Sequence, residues 1–365
     1  MGSHILDSYF DSGNSGIVYC FVRNKNNKDS ILRLKEQLNF YFGKKYDNYF
    51  GDKIKVIEAD TTLDNFGLSE TDYNNLANDI DIVINSAAIV KHYGDYNKFY
   101  NINVTGTKNL IAFCEKFNKK LYHISTTSVS GIGLPENSLK QEKNITYFSE
   151  KDLYKNQNLN NTYLQTKFEA EKIILDEVSN NKLNATIFRM GNISNRYLDG
   201  KFQINANENA FVNRIKAIIK LGIIQNGFKN HSTEFAPVDF CAKAIINLIQ
   251  SNPKFTIFHI FNNKLISFID LVNFINELNI KVDFVTDEEF SKKVSNYLKD
   301  PILKNDISGI VTDLDSEKKF KIVSNILMDC NFSAKYLNTI GFNWPEINKE
   351  YITKYIEYFK NINLL

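Results

Sequence analysis

The chain has 365 residues, of which 43% are hydrophobic and 24% charged, with a net charge of +2. That length accommodates one large or two ordinary domains around a buried core. So balanced a charge argues against nucleic acid or an anionic membrane surface as partner. No apolar run approaches the roughly 18 residues of a membrane-spanning helix, and the opening Met-Gly-Ser-His does not begin a signal peptide. Cys20, Cys114, Cys241 and Cys330 are widely scattered, with no Cys-x-x-Cys pair and no Cys/His cluster. They predict reduced thiols, a cytoplasmic setting and no metal site.

In chain order, residues 3–10 read as a helix. Short apolar runs then recur at 17–22, 54–57, 82–84, 121–124, 186–190 and 256–261. Amphipathic stretches near 30–41, 68–78, 97–118, 163–180 and 239–250 lie between them. Strands rich in Ile, Val and Phe that alternate with helices predict a parallel sheet covered on both faces. Right-handed crossovers make it doubly wound, so the fold class is α/β. The alternation fails at 191–236, a loop over 191–203 followed by a helix near 206–221, and at 263–365, which ends in a helix near 349–359. The expected division is therefore 1–190 with 237–262 as the nucleotide-binding part, and 191–236 with 263–365 as a smaller, mostly helical substrate part. Trp344 is expected to anchor the tail by packing.

Tyr163 and Lys167 are four residues apart and share one helical face. An ammonium beside a phenol favours phenolate and is expected to lower the phenol pKa from about 10. Upstream, Ser125-Thr126-Thr127-Ser128 is a hydroxyl run at a strand end. Hydroxyl, phenol and ammonium together are what a carbonyl reductase needs around its substrate oxygen. In a chain with 19 tyrosines such a spacing also arises by chance, so the surroundings decide.

Ligands of doubly wound sheets bind outside the carboxyl ends of the strands. Arg23 directly follows the 17–22 run, where such a fold meets the adenosine ribose. An arginine there complements a 2′-phosphate, which points to NADP, with Arg33 in support. Asp60 follows the next strand and can accept a bond from adenine. Asn85-Ser86-Ala87-Ala88 follows the one after, and its small residues let backbone approach a flat cofactor; a tight helix–strand contact explains the alanines equally well. Asn103, inside a helix where asparagine is disfavoured, is expected to bond a neighbouring strand's backbone or to hold a water in a proton path.

Together these pieces resemble the extended short-chain dehydrogenase/reductase superfamily over nearly the whole chain. The closer resemblance is to thioester reductase domains, the terminal reductases of nonribosomal peptide synthetases related to carboxylic acid reductases. The segments that carry it are 19–23 (Tyr-Cys-Phe-Val-Arg), 82–92 (through Lys91-His92), 123–129 (His-Ile-Ser-Thr-Thr-Ser-Val), 189–193 (Arg-Met-Gly-Asn-Ile) and 237–239 (Pro-Val-Asp). The resemblance implies Thr126 as catalytic hydroxyl, with Ser125 or Thr127 if the register slips by one. It implies Tyr163 as proton donor, and Lys167 as the residue that binds the nicotinamide ribose and tunes Tyr163. It further implies NADPH as cofactor, a phosphopantetheinyl carrier domain bearing an acyl or peptidyl thioester as partner, and reductive release as an aldehyde or, after a second reduction, an alcohol. A fatty acyl-CoA reductase, a nucleotide-sugar epimerase and a non-catalytic remnant that only docks a carrier stand as alternatives.

One departure is at the start. The superfamily opens on a strand and a Gly-x-x-Gly-x-x-Gly loop. Here Gly2 stands where the third glycine belongs, and Arg23 lies 21 residues beyond it, near the usual interval of about 20. The first strand is missing, which is expected to leave two sheet edges unpaired and to weaken cofactor binding. A start taken at an internal methionine, a fragment of a longer synthetase, and real decay are the readings of that departure.

Overall fold

The computed structural model describes residues 1–24, 29–90, 94–131, 146–159, 161–311, 313–320 and 326–365. Lys91 and His92, which close the 82–92 segment of the resemblance, lie outside them. The strands are β1 (Val18–Phe21), β2 (Ile54–Ile57), β3 (Ile82–Asn85), β4 (Lys120–Thr126), β5 (Thr146–Phe148), β6 (Ala185–Met190), β7 (Ile193–Ser194), β8 (Ile223–Gln225), β9 (Ser232–Thr233), β10 (Ala236–Pro237) and β11 (Ile257–Ile260). Short strands β12 (Ile266–Ser267), β13 (Asp283–Val285) and β14 (Ile326–Met328) follow. The helices that shape the site are α1 (Gly2–Asp11), α2 (Ser30–Phe42), α3 (Glu70–Asp79), α4 (Tyr96–Tyr100), α5 (Gly106–Lys116), α6 (Thr162–Ser179), α7 (Ala210–Leu221) and α8 (Val238–Ser251).

The central sheet is parallel, with order β11-β6-β4-β3. Strand periodicity sends alternate residues to opposite faces. Tyr122, Phe188 and Phe258 pack with Ile5 of α1 and with Cys241, Ala242 and Ile245 of α8. Leu121, Ala185 and Ile187 pack with Tyr73 and Leu76 of α3, Leu110 and Phe113 of α5 and Ile174 of α6. Helices thus cover both faces, and the doubly wound α/β reading holds. Most helices begin at side-chain caps: Asp29 accepts from Leu32 N, Ser69 from Asp72 N, and Asn161 from the amides of Tyr163 and Leu164.

The strands fall into separate sheets. β1 pairs in parallel with β2 as a separate ribbon, and among the described residues neither is hydrogen-bonded to β3. Ile82, on the free edge of β3, is 37% exposed although it belongs to an apolar run. Helices hold the two pieces together. Leu6 of α1 packs with Leu38 of α2, Tyr46 and Ile54, each fully buried aliphatic contributing about 1.5–3 kcal/mol. On the same helix His4 lies against Tyr41 and Phe42, with ring centroids 4.6 and 5.3 Å away.

The 97–118 stretch, expected as one helix, is α4 and α5 joined by a π-turn at Asn101–Thr105. Asn103 sits in that turn. Its Oδ1 accepts from Ile89 N at 2.9 Å, and its Nδ2 donates to Ile89 O at 3.3 Å and Thr166 Oγ1 at 3.0 Å. Its backbone partner, Ile89, lies in the loop after β3 and not in a strand. Elsewhere, Phe202, Phe211 and Phe235 are buried in a second core built on α7 and the C-terminal helices, with Phe228 packed against it. Their role is packing. Trp344 meets Phe342 edge-on at 5.1 Å and joins the core on the α1/α8 face of the sheet.

Candidate active site

The first turn of α6 faces the end of β4. Asn161 caps that turn, and Tyr163, Lys167 and Glu171 follow at intervals of four on one face. The Tyr163 hydroxyl faces Thr126, the last residue of β4, whose Oγ1 accepts from Ser128 N at 3.1 Å. The neighbouring hydroxyls are arranged differently. Ser125 Oγ is buried without a partner among the described residues, and Thr127 Oγ1 donates to Met190 O at 3.2 Å. Gly131 closes the turn with φ 77°, a backbone conformation natural to glycine.

Lys167 is buried. Its side-chain nitrogen donates to Ile124 O at 2.5 Å and lies 3.2 Å from His123 Nε2. Burial pushes its pKa down to about 8, against an opposing pull from Glu171. Burial also pushes the Tyr163 phenol up to about 12, opposed by the Thr126 side chain and reinforced by Glu171. The expected lowering of the phenol pKa by Lys167 is therefore overturned in the free chain. Desolvation outweighs any nearby cation, and the cation is itself disfavoured by the same burial. The neutral phenol that results is a proton donor in form at neutral pH.

Glu171 continues the face and receives a forked ion pair from Arg189 of β6. Arg189 Nε lies 3.0 and 3.2 Å from the two carboxylate oxygens, and Nη2 lies 2.7 Å from one of them. Both side chains are 0% exposed. This clamp fixes the height of α6 above the sheet, and so the positions of Tyr163 and Lys167. Glu171 was readable as the next step of the i, i+4 series, and Arg189 as a lone charge in an apolar strand, yet sequence reasoning gave neither a role. Glu234, also not anticipated, accepts from Asn192 N at 2.7 Å and Asn262 N at 2.9 Å. It ties the loops after β6 and β11 together, and burial pushes its pKa up to about 8. No sequence spacing signals that contact.

The residues expected to meet a dinucleotide form two groups along the carboxyl ends. In one, Arg23 Nη1 lies 4.0 Å from Asp60 Oδ2, and Arg33 Nη1 donates to the Arg23 carbonyl. Asp60 Oδ1 accepts from the amide and hydroxyl of Thr62 at 2.9 and 2.8 Å. Glu58 joins the group by accepting from Ser30 Oγ at 3.1 Å. In the other, a Cβ on Gly2 would stand 3.1 Å from Ser86 Oγ, so the start of α1 lies against the loop after β3. Ser86 and Ala87 are exposed, whereas Asn85 is buried and accepts from Ala87 N at 3.2 Å. The small exposed residues after β3, Arg23 after β1 and Arg33 on α2 fit a dinucleotide laid across the carboxyl ends.

The family described as Male sterility protein matches residues 1–245. The chain belongs to it. Within the extended short-chain dehydrogenase/reductase superfamily, this domain is of the terminal reductase type of nonribosomal peptide synthetases. A thiolation-reductase di-domain from an archaeal nonribosomal peptide synthetase superposes with TM-score 0.85 at 32% identity, covering 99% of this chain and 73% of that one. The terminal R domain of the myxalamid pathway superposes with TM-score 0.82 at 19% identity, covering 100% and 88%, a likeness of fold. A linear gramicidin synthase of Brevibacillus parabrevis is 24% identical over 351 residues, which is 94% of this chain and 6% of that protein. The chain thus spans a small part of the length of such relatives. Among the described residues, no helix is long and apolar enough to cross a membrane.

Proposed function

We propose that this domain reduces a carrier-bound acyl or peptidyl thioester, with NADPH as the reductant, and releases an aldehyde and the carrier thiol. The observation that carries the reading is the placement of Tyr163 against Thr126 at the end of β4, with buried Lys167 one turn further along α6. NADPH, when bound, supplies the hydride. Ser86, Ala87 and the start of α1 would hold its pyrophosphate side, with Arg23 and Arg33 at the ribose 2′-phosphate. Lys167 would meet the nicotinamide ribose.

Thr126 and Tyr163 bind the thioester oxygen as negative charge builds on it, the contribution that usually dominates such catalysis. Tyr163, held protonated by burial, gives its proton to that oxygen. The thiohemiacetal so formed loses the thiol to leave the aldehyde. The phosphopantetheine arm of a carrier domain is the partner this chemistry calls for, and the archaeal di-domain, a thiolation unit joined to a reductase, supports it.

The test is oxidation of NADPH by the purified chain in the presence of an acyl-pantetheine thioester. Oxidation should depend on the thioester and fall at least about 100-fold in Tyr163→Phe, the usual contribution of a positioned proton donor. Thioester-independent oxidation, or full activity in that variant, would refute the assignment. Absence of NADPH binding, even with an upstream strand and glycine loop supplied, would favour a docking remnant.

A further inference from the structure

Lys167 lies at one end of a buried chain of hydrogen bonds that leaves the substrate side and runs beneath β3. Lys167 Nζ is 3.2 Å from His123 Nε2, and His123 Nδ1 is 3.1 Å from Asn85 Nδ2. Asn85 Nδ2 lies 3.2 Å from Thr107 Oγ1, and Thr107 Oγ1 donates to Asn103 O at 2.7 Å. His123 and Asn85 are directly opposed in the β3–β4 register, so the sheet itself sets their contact.

The direction of each bond follows from its neighbours. Asn85 Oδ1 accepts from Ala87 N at 3.2 Å, which turns the amide nitrogen toward Thr107 and His123. Thr107 spends its only proton on the Asn103 carbonyl and so accepts from Asn85. The amide therefore donates to His123 Nδ1, which carries no hydrogen. His123 is neutral, its pKa driven well below the ordinary value by burial and then by Lys167. Its single ring proton is left on Nε2, facing Lys167. An N–H cannot accept from an ammonium, but it can donate to the lone pair of an amine that itself donates to Ile124 O.

We infer that His123 is a positioning residue that disfavours the ammonium form of Lys167 in the cofactor-free chain, through the ring tautomer that Asn85 imposes. The other groups facing this site are Glu171 and Tyr163 on the same helix, and Arg189 of β6, whose charge offsets that of Glu171. For an ammonium at 167 to donate to His123, the imidazole proton has to move to Nδ1 and the Asn85 amide has to turn, giving up the bond from Ala87. Under the proposed function, on which the catalytic meaning of this switch rests, the ammonium is the form that favours departure of the Tyr163 proton. The activity should then carry a pH limb set by His123 and Lys167 together.

The experiment uses the whole chain without cofactor or thioester. Multiple-bond nitrogen–proton spectra of histidine-labelled protein report the tautomer, with the His123 signals assigned by their loss in His123→Leu. Spectra of lysine-labelled protein report the Lys167 titration. The expected result is His123 protonated at Nε2 in the unaltered chain. In Asn85→Asp, whose carboxylate accepts from Nδ1–H, the proton should move to Nδ1. The Lys167 midpoint should rise by about one unit or more in Asn85→Leu and His123→Leu, because the opposing donor is lost or free to turn. An Nδ1–H tautomer in the unaltered chain overturns the inference without recourse to any variant, and so does an unmoved Lys167 midpoint in both leucine variants. These readouts need no turnover, so a failure to oxidise NADPH would count against the proposed function and leave this inference standing.

Discussion

Removing one partner of the Glu171–Arg189 pair should be among the most damaging single changes in the α6–β6 layer. In Glu171→Gln, the guanidinium remains at 0% exposure but loses its counter-charge. One of the N–H groups now bonded at 2.7–3.2 Å then faces an amide NH2. Its remaining contacts are weak: Ser149 O and His259 Nε2, each 3.4 Å from Nη1, and the Phe148 ring at 5.1 Å. An uncompensated buried charge of this kind costs about 3–5 kcal/mol. At roughly 1.3 °C per kcal/mol for a chain of this size, the melting midpoint should drop by about 4–7 °C. Circular dichroism melts, with urea midpoints alongside, would measure it. Replacing both partners, Glu171→Leu with Arg189→Met, should recover most of the loss, because neither charge is then stranded. A Glu171→Gln variant within about 1 kcal/mol of the unaltered chain would refute the reasoning, since desolvated pairs do not break so cheaply. So would a double variant no better than the worse single one. Because Tyr163 lies two turns along the same face, Glu171→Gln should also lower turnover well below its melting temperature.

Other tests address the remaining parts of the molecule. Arg23→Asp should erase or invert a preference for NADP over NAD, measured as the ratio of dissociation constants for the two reduced cofactors; an unchanged ratio would relocate the phosphate site. The stability of the chain should fall on acidification. His4 and His259 are buried and neutral, with pKa values lowered to about 3 chiefly by burial. A base whose folded pKa is depressed stabilises the fold above its unfolded value near 6.5 and loses that contribution as pH drops toward 3, about 3 kcal/mol for each by pH 4. His4→Phe keeps the contacts with Tyr41 and Phe42 and should flatten the melting profile between pH 6.5 and 4; parallel profiles would count against the assignment. Gly191→Ala should cost about 1–3 kcal/mol, because a Cβ there would collide with the Glu234 carboxylate. Full stability in urea would show that the carboxylate gives way freely.

The doubly wound sheet was legible in the sequence because strand and helix periodicities differ, and both repeat clearly between residues 17 and 261. The separation of β1 and β2 from β3 is visible only in the structure. The grouping of Tyr163, Lys167 and Thr126 was readable from helical spacing and from the end of an apolar strand. The π-turn at Asn101–Thr105 was not, because its cause is the bonding of Asn103 to Ile89 and Thr166, residues distant in the chain. Local pattern also predicted the wrong direction for the Tyr163 phenol. Charge spacing is written in the sequence, whereas the desolvation that dominates a buried pKa exists only once β4, β6 and α6 have closed around the group. Residue types, their order and their period thus determined the architecture and pointed to the candidate group of Thr126, Tyr163 and Lys167. Burial and the direction of each hydrogen bond were decided by packing alone, because they depend on neighbours that only the folded chain brings together.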